Sequence, residues 1–234
     1  MAEKRAPLFL AAGGPGSIRV RGPDPLIKAV IDRTGVRRPK VAYVGAASGD
    51  NAAFRLLIGG MLRKAGAGAV TLAPLCGKRA DAAQARRVME ESDLVFISGG
   101  DVEEGMRVLA EHRLAPFLRG LFRAGKPFFG VSAGSIMLAG TWVRWPDPDD
   151  ESGAELFPCL GFAAVLCDTH GEGDDWAELK AALLLHRAGA TGYGIVSGSA
   201  LVVEPDGSLS AAGGAIHVFK RRAKGVVSLP DLVP

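Results

Sequence analysis

The sequence predicts an α/β fold: a mostly parallel sheet covered by helices on both faces. Three observations predict it. Short continuous apolar runs alternate with longer helical segments, as buried parallel strands and their crossover helices require. The runs end in glycine-rich or small polar turns, and in open parallel sheets ligands gather outside those carboxyl ends. Glycine is abundant, 32 of 234 residues, which suits many tight strand–helix turns.

A chain of 234 residues fits one large domain or two small ones and can bury a substantial core. No internal repeat, low-complexity tract or linker interrupts it, so residues 1–234 read as one domain. Apolar residues make up 48 % and charged residues 23 %, as in ordinary globular proteins. The formal net charge of +3 is small and dispersed, and aromatic residues are scarce, so nucleic acid is not an expected partner. Arg37-Arg38-Pro39-Lys40 and Lys220-Arg221-Arg222-Ala223-Lys224 read as charges at strand ends. The first apolar run is too short for a signal peptide, and no segment has the length of a membrane span. Cys76, Cys159 and Cys167 have no metal spacing; as free thiols they suit a reducing cytoplasm.

The elements follow in order. Pro7–Ala12 is a buried strand ending in Gly13-Gly14-Pro15-Gly16-Ser17, which lacks both dinucleotide and P-loop spacing. Pro25–Thr34 is a helix, with Asp24 as N-cap and Gly35 as stop. Lys40–Ala47 is a strand, and Ser48-Gly49-Asp50-Asn51 can cap the helix Ala52–Lys64. Gly66–Ala73 is a third strand and Asp81–Glu91 a helix with Asp81 as cap. Asp93–Ser98 is a strand ending in Gly99-Gly100-Asp101. Helices Val102–His112 and Pro116–Ala124 lead to a fifth strand, Pro127–Val131. A short helix from Ser132 to about Gly140 precedes a polar, proline-broken insertion, Trp145 to Glu151. Gly161–Cys167 is a strand and Asp174–Arg187 a helix. Gly192–Val196, Ala200–Glu204, Leu209–Ala212 and Ala215–Phe219 read as short strands of an antiparallel β edge to the same domain.

The stretch that carries chemistry is Gly130-Val131-Ser132-Ala133-Gly134. Gly-x-Ser-x-Gly at a strand-to-helix junction is the pattern of a nucleophile elbow, in which a tight turn lifts the serine hydroxyl off the sheet edge. The next amide, that of Ala133, is an oxyanion donor by construction, and Gly100 of the Gly99-Gly100 pair can supply a second. A serine needs a base. His112 and His186 lie in helical patterns among charges and read as surface residues, and His217 lies in a terminal strand. His170 follows an apolar strand directly and sits in a polar glycine turn, so it is the candidate base. The orienting acid stays open between Glu172 and Asp147, with Asp149, Asp150 and Asp168 also in reach of the same loops.

With Ile97-Ser98-Gly99-Gly100 upstream and Asp168-Thr169-His170 downstream, the elbow resembles peptidase family S51, which includes peptidase E and cyanophycinase. The resemblance extends over most of the chain, including Gly45-Ala46-Ala47-Ser48, Gly192-Tyr193-Gly194-Ile195 and Gly198-Ser199-Ala200-Leu201. It implies a class I glutamine amidotransferase-like fold, with Ser132 as nucleophile, His170 as base, and Gly100 with Ala133 as oxyanion hole. Asp147 matches an aspartate that family members carry soon after the nucleophile; His170-Gly171-Glu172 matches the His-x-Glu pair of related amidotransferases. Gly99 and Asp101 fall where substrate is held.

The chain also departs from the family pattern. Asp101-Val102 follow the glycine pair in place of Asn and Gln or Thr, Gly171 to Trp176 replace arginines after the histidine, Ser135 replaces an alanine, and Ser197 replaces a late acidic residue. A cleft lined by Asp101, Glu103, Glu172, Asp174 and Asp175 would repel an acidic substrate. The expectation is a cytoplasmic serine hydrolase that cleaves a small peptide or amide through an acyl-enzyme. It needs no metal or organic cofactor and no membrane, and it is a monomer or homodimer. The rivals are a serine esterase and a ligand-binding protein that keeps the fold without the reaction. Cysteine-dependent amidotransfer is disfavoured, because Cys167 lies too near His170 along a strand to replace Ser132.

Overall fold

Successive residues of a strand point to opposite faces. In the first strand, β1 (Leu8–Ala11), both faces are apolar. Leu8 and Leu10 join one buried cluster, and Phe9 and Ala11 join another. The same split recurs in β2 (Val41–Val44): Ala42 and Val44 go one way, Val41 and Tyr43 the other. β4 (Leu94–Ile97) and β5 (Phe128–Val131) are built alike, whereas β3 (Val70–Ala73), at the sheet edge, leaves Thr71 exposed. Such strands are stable only when covered on both sides. In this computed structural model, which describes residues 6–13, 22–147, 150 and 153–234, helices cover both.

α1 (Pro25–Arg33) and α2 (Ala52–Lys64) bury Ile27, Val30, Ile31 and Leu62 against the Phe9 face. α3 (Ala82–Glu90), α4 (Val102–Glu111), α5 (Ala115–Arg123) and α6 (Ala133–Leu138) cover the Leu10 face. The predicted caps are present. The Asp24 carboxylate accepts from the amides of Leu26 and Ile27 at 2.9 and 3.1 Å. Asn51 caps α2 through Phe54 N–H, and Asp81 caps α3 through Gln84 N–H.

The C-terminal strands part company with the expectation of one antiparallel edge. Two more elements precede them, the hairpin β6 (Thr141–Arg144) and β7 (Glu155–Pro158), formed across the insertion that reads as irregular. β8 (Leu166–Thr169) starts later than the apolar run does, and α7 (Ala177–Leu185) follows. β9 (Thr191–Ile195) pairs parallel to β8. β10 (Ala200–Val203) and β11 (Leu209–Ala212) add antiparallel to β1, completing a seven-stranded sheet of order β11-β10-β1-β5-β4-β2-β3. β12 (Ile216–Arg222) and β13 (Gly225–Leu232) complete a separate four-stranded sheet, β13-β12-β9-β8. β13 carries Ser228, Pro230 and Asp231, so it lacks an apolar strand signature; its pairing with β12 supplies what its composition does not. Residues 14–17 of the first glycine loop and Asp149 lie outside the described residues. Among the described residues no helix is long and apolar enough to cross a membrane.

The main parallel strands point their carboxyl ends at one rim. β8 and β9 run parallel in the second sheet, with Asp168 beside Gly194 and Thr169 beside Ile195. That register sends the chain after β8 and the chain after β9 out side by side.

Candidate active site

Ser132 sits between β5 and α6 at φ 54°, ψ −126°, a conformation that costs a residue with a side chain. Its surroundings dictate that strain. A Cβ on Gly130 would lie 2.6 Å from the Gly134 carbonyl oxygen, and one on Gly134 would lie 2.2 Å from that of Ile97. Only glycine fits either place, so the backbone turns sharply and Ser132 takes the strained position. The Ala11 carbonyl on β1 fastens the turn twice. It accepts from Ser132 N–H at 2.9 Å and from Ser135 Oγ at 2.8 Å. Ser135, fully buried, therefore serves the elbow and not the cleft.

Gly99 and Gly100 follow β4 directly. A Cβ on Gly99 would lie 3.1 Å from the Ser132 Cβ, which puts the glycine pair against the serine. Gly100 has φ +143°, and a Cβ there would lie 1.9 Å from the Ala47 carbonyl oxygen. Neither Gly100 N–H nor Ala133 N–H donates to a protein acceptor among the described residues. Two free amides beside a strained serine can receive a developing negative charge.

His170 ends β8 in the left-handed region, φ 65°. Gly171 and Gly194 make room beneath it for Trp176, which a Cβ on either would strike at 2.6 or 2.7 Å. His170 Nδ1 lies 3.1 Å from Ser197 Oγ, and Ser197 N–H donates to Glu172 Oε1 at 2.6 Å. Burial pushes the Glu172 carboxyl up, but the Ser197 amide and hydroxyl and the His170 ring outweigh it, so the group titrates below the usual range. The structure thus brings His170, Glu172 and Ser197 together. Ser197 enters the sequence only as a replaced acid; the signal that would have placed it here is the parallel pairing of β8 with β9. Asp147 lies exposed in the connection from β6 to β7.

The other histidines are engaged elsewhere. His112 Nε2 meets Leu75 O at 2.8 Å, His186 Nε2 meets Thr141 Oγ1 at 3.0 Å, and His217 Nδ1 meets Asp231 at 3.1 Å. His112 and His186 are half-buried, in contrast to the surface placement their helical patterns suggest. Cys167 is buried and its thiol is pushed up by burial, so it is inert.

Ser132, His170, Gly99 and Gly100 share the wall of a cavity of about 440 Å³. It runs over the Phe9 face of the sheet, floored by Phe96 and Phe129, and lies between α1 and α2. The acids expected to line it do not. Asp101 caps α4 through Glu104 N–H at 2.7 Å and borders a separate groove with Glu103 and Arg144. Asp174 accepts from Trp176 N–H, and Asp175 pairs with Lys180. Of the two residues expected at the substrate, Gly99 lines the cavity and Asp101 does not. Among the described residues no group of three or more His, Cys, Asp or Glu side chains is placed to hold a metal ion.

One further carboxyl lies behind the base. Asp168 is 5 % exposed, and burial pushes it up to about 7. The Thr169 amide, at 2.7 Å, opposes that shift, and Glu178 and Asp174 add to it.

Comparison with known proteins gives consistent matches. A family model described as peptidase family S51 matches residues 9–210. The peptidase E of Haemophilus influenzae (strain ATCC 51907 / DSM 11121 / KW20 / Rd) is 29 % identical over 129 residues, 52 % of this chain and 59 % of that protein. The match thus spans only about three fifths of that relative's length. A peptidase from an acI-B1 Actinobacterium superposes with a TM-score of 0.64 at 14 % identity, over 100 % of this chain and 99 % of the other. A provisionally named peptidase E from Listeria monocytogenes EGD-e superposes with a TM-score of 0.63 at 14 % identity, over 89 % and 98 %. At such identity the two structures establish the fold alone.

Proposed function

The chain belongs to peptidase family S51, and from that premise we propose that it is a serine hydrolase cleaving a peptide or related amide bond through an acyl-enzyme on Ser132. The observation that carries the reading is the strained serine at φ 54° sharing one cavity wall with Gly100 and His170. Backbone strain of this kind is retained where it exposes a reactive group.

The steps follow from the geometry. The Glu172 carboxylate accepts from Ser197, whose hydroxyl oxygen accepts Nδ1–H of His170. That arrangement leaves Nε2 unprotonated as the base. Ser132 Oγ attacks the substrate carbonyl carbon and its proton passes to Nε2. The amides of Gly100 and Ala133 hold the oxyanion. His170 then gives the proton to the leaving nitrogen as the C–N bond breaks, releasing the amine. Water adds to the acyl-enzyme, its proton goes to His170, and the bond to Ser132 Oγ breaks to release the acid. The role of orienting acid goes to Glu172, acting through Ser197, ahead of Asp147. The three free thiols fit a reducing compartment such as the cytoplasm.

Intact mass after incubation with an ethyl fluorophosphonate tests the reading. One adduct is expected on the wild type and none on Ser132→Ala or His170→Ala. Absence of labelling on the wild type, or labelling that survives Ser132→Ala, overturns it.

A further inference from the structure

The apolar residues of α2 serve the core and the cavity together: Ile58 and Met61 pack against the core cluster and also line the cavity. Gly59 and Leu62 are its buried positions. Phe54, Leu57, Ile58 and Met61 recur at helical spacing and turn toward the cavity. Leu57, 47 % exposed, stands on the cavity wall. Leu26 and Ile27 of α1 face them from the other wall. The result is an apolar slot that Ser132 borders.

Its charges are as telling as its apolar walls. No lysine or arginine lines it among the described residues. The N-terminus of α1 would be a source of positive potential, but the Asp24 carboxylate already occupies it. An anionic side chain entering the slot would lose its water, meet Asp24 and, among the described residues, find no cation.

We propose that this slot holds the acyl side of the substrate, and that it selects a large apolar side chain, such as that of leucine or phenylalanine, on the residue that supplies the scissile carbonyl. The inference rests on the reading of Ser132 as the nucleophile. The side follows from the chemistry. The acyl group stays bonded to Ser132, which lines the slot, through both steps, so the slot can hold it throughout, whereas the amine is bound only until the first C–N bond breaks. A cavity of about 440 Å³ is within the usual range of ligand pockets and takes one such side chain with its neighbouring backbone.

The test uses serine-directed phosphonates on the full chain, read as second-order labelling rates by intact mass. The ethyl fluorophosphonate has no group to fill the slot and serves as reference. Diphenyl phosphonate analogues of leucine, phenylalanine and aspartate report the slot. On the wild type the leucine and phenylalanine analogues are expected to label roughly tenfold to hundredfold faster than the aspartate analogue, the range that burying such a side chain supplies. In Leu57→Arg the ratio of leucine to aspartate rates is expected to fall toward unity. If the ethyl probe labels Ser132 while the aspartate analogue reacts as fast as the leucine analogue, the slot inference is overturned and the hydrolase reading stands. If the ethyl probe fails as well, the hydrolase reading falls and takes the inference with it.

Discussion

Ser197→Ala isolates the link that the structure inserts between base and acid. In the wild type the hydroxyl lies 3.1 Å from His170 Nδ1, and the amide of the same residue holds Glu172 at 2.6 Å. The variant keeps the amide contact and removes only the oxygen that fixes the ring. All three groups are exposed, so the lost contact is replaced by water and folding stability should change by less than about 0.5 kcal/mol. The transition state is affected more, because the ring becomes an imidazolium there and a hydrogen bond to a charged group is worth about 1.5–3 kcal/mol. That corresponds to a fall in kcat/KM of roughly tenfold to a hundredfold, carried by kcat. The double variant Ser197→Asp, Glu172→Gln puts a carboxylate directly against Nδ1. It should recover much of the loss and move the acid limb of the kcat/KM profile to higher pH, because an adjacent anion favours the charged ring. Steady-state kinetics on a leucyl anilide, with thermal melts as control, would check both. Unchanged kcat/KM in Ser197→Ala would refute the link. So would a loss that tracks a matching drop in melting temperature. If Asp147→Asn instead abolishes turnover, the acid is Asp147.

Gly100→Ala forces a methyl to within 1.9 Å of the Ala47 carbonyl at a φ of +143°, so the Gly100 amide must move; a loss in kcat of about a hundredfold to a thousandfold is expected while labelling by a small phosphonate is only slowed. Ser135→Ala deletes a buried donor to Ala11 O, an acceptor that keeps its bond from Ser132 N–H. Chemical denaturation should show a cost of about 1 kcal/mol. Asp168→Asn tests the buried carboxyl. Its folded pKa of about 7 lies above the unfolded value, so between about pH 4 and pH 7 the unfolded chain loses a proton that the folded chain keeps, and stability falls as pH rises through that window. The full penalty above pH 7 is about 4 kcal/mol at 1.36 kcal/mol per pH unit. Urea melts of Asp168→Asn should therefore lack the wild-type decline over that range; an identical decline in both proteins would sink the assignment.

The parts legible in the sequence are those set by local sterics. Gly130 and Gly134 flank Ser132 because no Cβ fits at either place, and the pattern is visible without any knowledge of pairing. The apolar strands reveal themselves because both faces are buried, and the caps Asp24, Asn51 and Asp81 because a carboxylate or amide just before a helix has one evident use. What stayed hidden depends on non-local pairing. Ser197 meets His170 only because β9 runs parallel to β8, and nothing in either segment announces its partner or its direction. The charges of Asp101, Glu103, Asp174 and Asp175 suggest an acidic cleft in a linear reading. In three dimensions each is engaged in a cap, a turn or an ion pair away from the cavity. The apolar stripe of α2 reads as ordinary core, since sequence periodicity cannot distinguish a buried face from one that borders an open slot.

The two halves of the site are built to different standards of rigidity, and their tasks explain the difference. The serine half is tied to two strands: Ala11 O holds Ser132 and Ser135, and the close approach of Gly134 to Ile97 leaves no freedom. An oxyanion hole works only if its donors are in place before charge develops, so the proposed donors, Gly100 and Ala133, suit the rigid edge of the parallel sheet. The base half lies on an exposed turn seated on Trp176 and is oriented by Ser197 and Glu172, both open to solvent. On the proposed acyl-enzyme route that exposure serves both steps. On that route the amine would leave and a water enter beside His170 while the acyl group remains on Ser132. A closed pocket around the histidine would raise the basicity gained from Glu172 but would obstruct both exchanges. In the proposed relay, Ser197 meets Glu172 with its amide and His170 with its hydroxyl, so the ring is oriented without being buried.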